Sequence, residues 1–135
     1  MKENTIVSLA DSNYFELLNE LIDSIKKFDQ SKSVSICILD AGLTEEQKKI
    51  LSVKVDEIKN AEWDIEVPGF KVRGKEWLKS QVSRAFLPNY FPSYKKYLWI
   101  DCDAWVQEWS SVELYFKACE DGKLGITQTM APGYR

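Results

Sequence analysis

Apolar residues in this 135-residue chain fall into short continuous runs, separated by stretches in which they recur at helical spacing. Thr5-Ile6-Val7-Ser8-Leu9-Ala10, Val34-Ser35-Ile36-Cys37-Ile38-Leu39 and residues 96–100 read as buried strands. After the first, Asn13-x-x-Glu16 has the form of a capping box, and Leu17, Leu18, Leu21, Ile22, Ile25 and Phe28 line one face of the helix that follows. Thr44-x-x-Gln47 opens a second helix through Leu51 or beyond. Trp63-Asp64-Ile65-Glu66-Val67 alternates like a peripheral strand closed by Pro68-Gly69. Trp77, Leu78, Val82, Phe86 and Leu87 place a helix over 75–87, stopped by Pro88. Ser110-x-x-Glu113 opens a last helix with Val112, Leu114, Phe116 and Cys119 as candidate buried positions, and Leu124-Gly125-Ile126-Thr127 reads as a final strand. Strands alternating with helices at these lengths predict an α/β fold, a mostly parallel sheet with helices on both faces and right-handed crossovers.

That architecture gives the strand ends a meaning, because ligands of open α/β sheets gather beyond the carboxyl ends of the strands. Asp11, Asp40 and Asp101 all fall there, so three acidic ends are expected to converge on one crevice. The richest of them is Tyr97-Leu98-Trp99-Ile100-Asp101-Cys102-Asp103, an apolar run that stops at two carboxylates one residue apart. On a strand, Asp101 and Asp103 aim to one side while Cys102 faces the other. Carboxylates about 7 Å apart repel by about 2–3 kcal/mol at an effective dielectric of about 20, which invites a proton or a cation between them. Hard oxygen ligands suit Mg²⁺ or Mn²⁺ shared with a substrate phosphate; a merely solvated turn is the alternative for a lone Asp-x-Asp.

Composition narrows the classes further. At 135 residues the chain is one domain, large enough to bury about two-thirds of its unfolded surface. A net charge of −3 argues against a general nucleic-acid binder. Cys37, Cys102 and Cys119 are too few and scattered for a disulfide framework and fit a reducing, cytoplasmic setting. No window supplies the about 18 apolar residues of a transmembrane segment. Histidine is absent, which excludes Ser-His-Asp and Cys-His catalysis and His-based zinc sites within this chain.

With these motifs in order, the chain resembles the nucleotide-binding half of a GT-A type glycosyltransferase, similar to the family that contains glycogenin and the bacterial lipopolysaccharide galactosyl- and glucosyltransferases. Leu9-Ala10-Asp11-Ser12-Asn13-Tyr14 resembles that family's first strand and nucleotide loop, and Ile38-Leu39-Asp40-Ala41-Gly42-Leu43 its second strand and turn. Ser80-Gln81-Val82-Ser83-Arg84-Ala85-Phe86-Leu87-Pro88 looks like the helix that supplies an arginine near the sugar donor, and the Asp101–Asp103 run looks like the metal-binding Asp-x-Asp strand. The resemblance implies a Rossmann-like sheet and a nucleotide-sugar site built from Ala10, Asp11, Asn13, Tyr14, Arg84, Asp101 and Cys102. It also implies Mn²⁺ or Mg²⁺ on Asp101 and Asp103. Asp11 and Asn13 offer acceptor and amide groups for a uracil edge or ribose hydroxyls, and Tyr14 a ring for stacking. Asn13 could equally be a plain helix cap, and Arg84 the partner of an aspartate. Lys71, Arg73, Lys75 and Lys79 form a basic cluster that could draw in an anionic donor or simply be solvated.

The implied activity is transfer of a hexosyl group from a UDP-sugar to an acceptor hydroxyl on a glycan or lipid-linked sugar. Family members carry a third metal ligand, typically histidine, and the acceptor residues well after the Asp-x-Asp strand. Residues 1–135 are therefore expected to be a nucleotide-sugar-binding domain of a truncated form lacking the acceptor-binding half, with no catalytic residue assignable. Two other readings compete: a donor-binding module without turnover, and a haloacid-dehalogenase-like phosphatase with Asp101 as nucleophile and Asp103 as acid/base. Against the latter, Ala104-Trp105 stands where that chemistry has Gly-Thr.

Overall fold

The computed structural model describes residues 2–62, 86–120 and 125. Its centre is β1 (Asn4–Ala10), paired in parallel on one side with β2 (Val34–Asp40) and on the other with β4 (Lys96–Trp99). β3 (Glu57–Asn60) adds to the far side of β2, giving the order β3-β2-β1-β4 with every pairing parallel. Double pairing explains the unbroken apolar runs. From Thr5 to Ala10 and from Val34 to Asp40 every residue is buried, and the side chains on both faces are mostly apolar, with Thr5, Ser8, Ser35 and Asp40 as the polar exceptions.

One face packs against three helices. Ile6, Ala10, Ile36, Ile38 and Leu98 meet Leu18, Leu21, Ile22 and Ile25 of α1 (Phe15–Lys26), Leu51 of α2 (Glu45–Ser52), and Val112 and Phe116 of α4 (Trp109–Ala118). Each fully buried aliphatic side chain of this kind contributes about 1.5–3 kcal/mol. The opposite face, Val7, Leu9, Cys37 and Leu39, is covered by the single helical turn α3 (Leu87–Tyr90) and by Phe91, with Tyr94, Tyr97 and Trp99 packed around them. Here Thr5 donates to Cys37 Sγ at 3.1 Å and Tyr94 to Glu57 Oε2 at 3.0 Å, a polar thread beneath an aromatic lid.

Several boundaries differ from the sequence expectation, each for a local reason. Pro88 sits in the first turn of α3, where its missing N–H has no intrahelical acceptor to lose, and the helix it was expected to stop lies outside the described residues but for Phe86 and Leu87. Ser110 does not cap α4: Glu108 is the N-cap, with no side-chain capping bond, and burial of Trp109, Val112 and Phe116 sets the start of the helix. Leu114, expected inside, is 66% exposed. β3 has no counterpart in the sequence pattern, and the expected strand at 63–67, residues 75–85 of the helix expected over 75–87 and the strand at 124–127, Gly125 apart, lie outside the described residues.

The end of β2 shows how an acidic strand end is absorbed by the fold. Asp40 Oδ1 accepts the N–H groups of Gly42 at 2.8 Å and Leu43 at 2.6 Å, and Oδ2 faces Lys48 at 3.1 Å. Burial pushes this carboxyl's pKa up, but the amides of Leu43 and Gly42 and the Lys48 ammonium outweigh it, so the net position is below the ordinary carboxylate value. A depressed folded pKa adds stability that is complete above the unfolded value of about 3.9 and disappears as pH falls through the folded one. Asp40→Asn keeps the acceptor oxygen but removes the charge. Its unfolding free energy should fall by about 1–2 kcal/mol at pH 7. Its stability should also depend less steeply on pH below 4 than the wild type, read by urea denaturation across pH; equal slopes would contradict this assignment.

Candidate functional site at the carboxyl edge of the sheet

Because all four strands run in parallel, their carboxyl ends share one edge, and the loops that leave it are tied together by backbone bonds that prolong the sheet. Ala41 N–H donates to Ala10 C=O at 3.0 Å, Ser12 N–H to Gly42 C=O at 3.1 Å, and Ile100 N–H to Val7 C=O at 3.1 Å. Gly42 supports this closeness through its backbone, since φ of +133° is a conformation side chains resist.

The first loop turns at once into a 3₁₀ turn, Ser12–Tyr14, that leads into α1. Its cap is Asp11, whose Oδ1 accepts from Asn13 N–H at 2.9 Å and Tyr14 N–H at 3.2 Å. Asn13 is thus not the helix cap that the sequence allowed; its side chain is exposed beside the loop. Tyr14 is 46% exposed, and Ala10 is buried at the strand end. Arg84 and the basic cluster over 71–79 lie outside the described residues.

The Asp-x-Asp segment corrects the expected geometry. β4 ends at Trp99, and Asp101 to Ala104 form a turn closed by Ala104 N–H donating to Asp101 C=O at 3.0 Å. The two carboxylates therefore reach solvent through a turn and not through strand alternation, while Cys102 packs half-buried against the helical core. Asp101 Oδ1 is held by Trp99 Nε1–H at 2.8 Å. Burial first, then the negative charges of Asp103, Asp101 and Asp11, push the Cys102 thiol up to about 11. The loop after β1 and the turn after β4 leave neighbouring parallel strands at the same edge of the sheet. Asp40, the third acidic strand end, is spent inside its own turn.

Among the described residues no three His, Cys, Asp or Glu side chains form a ready metal cage. A hollow of about 1130 Å³ lies along the outer side of β4, bounded by Pro88, Trp99, Trp105 and Tyr115, with Asp101 and Asp103 among its lining. Ala10, Asp11, Asn13 and Tyr14 do not line it. The hollow follows the edge strand of the described sheet, and the loops after β1 and β4 are where the polar chemistry concentrates.

In a parallel α/β sheet, ligands bind beyond the carboxyl ends of the strands, the edge where these acidic loops lie. The model of glycosyl transferase family 8 matches residues 5–121, and the chain belongs to that family. Among solved structures it is similar to an active-site mutant of LgtC, with a TM-score of 0.60 and 21% identity over 82% of this chain and 41% of that one. It is also similar to the galactosyltransferase LgtC in complex with donor and acceptor sugar analogs, with a TM-score of 0.58 and 20% identity over 80% of this chain and 41% of that one. The chain thus spans about two-fifths of the length of these structures, and they support the GT-A fold. No curated protein matches it. Among the described residues no helix is long and apolar enough to cross a membrane.

The double role of the Asp11 carboxylate is separable by mutation. Asp11→Ala should lose about 1 kcal/mol of stability through the uncapped amides of Asn13 and Tyr14, whereas Asp11→Asn, which keeps an acceptor, should stay within about 0.5 kcal/mol of wild type. Denaturant unfolding of both variants checks this, and equal losses would remove Asp11 as the cap.

Proposed function

We propose that this chain is the donor-binding domain of a metal-dependent hexosyltransferase that moves a sugar from a UDP-sugar to an acceptor hydroxyl on a glycan or lipid-linked sugar. The observation that supports this reading is that the loops bearing Asp11 and the Asp101–Asp103 pair leave neighbouring parallel strands, β1 and β4, at the same edge of the sheet. In this reading Asp11 and Asn13 meet the uracil edge or ribose, Tyr14 stacks on the base, and the Ala10 and Cys102 backbone shapes the floor. Arg84 donates to sugar hydroxyls or phosphate. Three free thiols fit a reducing, cytoplasmic setting.

The residues present fit a hard divalent cation. Mg²⁺ and Mn²⁺ are commonly held by one or two carboxylates with the rest of the shell from substrate phosphates and water, and Asp101 and Asp103 supply that number and that chemistry. When bound, the cation would act as a Lewis acid stabilising the charge of the departing diphosphate. The chain's own residues contribute orientation: Trp99 holds one Asp101 oxygen, and Asp11 is fixed by two amides, so neither carboxylate has to be ordered when the donor arrives.

Calorimetric titration of UDP with and without Mn²⁺ tests the reading. Wild type should bind UDP in a Mn²⁺-dependent manner, and Asp103→Ala should weaken that binding by about tenfold or more, since a charged ligand contact is worth about 1.5–3 kcal/mol, while the melting temperature stays close to wild type. Unchanged binding in Asp103→Ala, or no binding by the wild type, overturns it. Binding without sugar transfer or hydrolysis would identify the chain as a donor-binding module.

A further inference from the structure

The capping box of α2 contains a side chain that does more than cap. Gln47 Oε1 accepts from Thr44 N–H at 3.0 Å while Thr44 Oγ1 accepts from Gln47 N–H at 3.2 Å, the reciprocal pair of a capping box. The other end of the same amide, Nε2, donates to the backbone C=O of Ser12 at 3.4 Å, thirty-five positions away in the nucleotide loop. The two contacts fix which end of the amide is oxygen and which nitrogen, because one neighbour is a donor and the other an acceptor. The capping box alone would be served as well or better by glutamate, whose charge suits a helix N-terminus. An amide can face a carbonyl and an N–H at once, whereas a carboxylate only accepts.

We propose that Gln47 is a positioning residue for the nucleoside contacts. The C=O of Ser12 and the N–H of Asn13 belong to one planar peptide unit and turn together. Gln47 holds the carbonyl side of that plane, and the N–H side donates to Asp11 Oδ1 at 2.9 Å. The preceding peptide unit is fixed as well, with Ser12 N–H on Gly42 C=O. Rotation of the Ser12–Asn13 plane would withdraw a hydrogen bond from the Asp11 carboxylate and swing the Asn13 side chain. Gln47 therefore sets the aim of Asp11 and Asn13 from the neighbouring helix without touching the ligand, an inference that rests on reading those two residues as nucleoside contacts.

Two substitutions separate this role from capping. Gln47→Glu retains the acceptor for Thr44 N–H and removes the donor to Ser12; Gln47→Ala removes both and is uncharged. Each is compared with wild type for melting temperature, for amide hydrogen exchange at Asn13 and Tyr14, and for UDP binding with Mn²⁺. Gln47→Glu should melt close to wild type and Gln47→Ala below it. Both should exchange faster at Asn13 and bind UDP about three- to tenfold more weakly, the range one hydrogen bond commands. Added negative charge by itself slows base-catalysed exchange, so acceleration in Gln47→Glu cannot come from its charge. Wild-type exchange at Asn13 in Gln47→Glu overturns the proposal, as does wild-type UDP affinity in both variants. If the wild type binds no UDP, the functional reading fails, and the exchange data alone then decide whether Gln47 holds the loop.

Discussion

The position of β1 between two parallel partners is the constraint from which the site follows. A strand paired on both sides and covered on both faces cannot shift register without exposing Ile6, Val7 and Leu9 or stranding ladder bonds, so its end is fixed to within one residue. The ladder does not stop where the strand does. It continues through Ala41 to Ala10 and through Ser12 to Gly42, carrying the rigidity of the sheet into the loop that bears Asp11. On the other flank Ile100 bonded to Val7 does the same for the turn that bears Asp101. Two loops distant in sequence thereby leave neighbouring strands at one edge of the sheet.

The acids along that edge have been given different work by their surroundings. Asp40 is buried and fully used by two amides and a lysine, so it is a structural anion. Asp11 uses Oδ1 on two amides and thereby closes the N-terminus of the 3₁₀ turn, which removes those N–H groups as a cradle for phosphate. Asp101 is steered by an indole N–H, and Asp103 is exposed within the turn. The half-buried Cys102 between them is the packing anchor that forces its two neighbours outward.

Much of this was legible in the residues, and the parts that were not share a cause. Runs such as Ile6-Val7 and Ile36-Cys37-Ile38-Leu39 announce doubly covered strands because burial decides their side chains, and Thr44-x-x-Gln47 announces its box because the contacts are local. β3 is silent in the pattern: Glu57-Ile58-Lys59-Asn60 has one apolar residue and joins the sheet through its backbone, after Asp56 Oδ2 accepts the N–H of Ile36 at 2.8 Å. The cap of the first turn was misplaced onto Asn13 because Asn13 and Asp11 both suit the role; three-dimensional reach, with one Asp11 oxygen meeting two amides, decides between them. The turn at Asp101 was hidden because an apolar run followed by Asp-x-Asp has the same spelling whether the strand continues or stops. Gln47 reaching Ser12 is a tertiary contact with no local signature.

The charge balance of the crevice bears on the chemistry it can host. Asp101 and Asp103 line the hollow beside β4, and no lysine or arginine is among its described lining residues. The nearest helix-terminal amides are already taken by Asp11. An anion as dense as a diphosphate is repelled by carboxylates, by about 4 kcal/mol for each unit-charge pair at 4 Å and an effective dielectric of about 20. A cation between the acids and the phosphates reverses the sign of that interaction, and the same acids that would repel the donor then hold it. In the proposed reading, this change of sign is what a divalent cation would contribute to binding a nucleoside diphosphate.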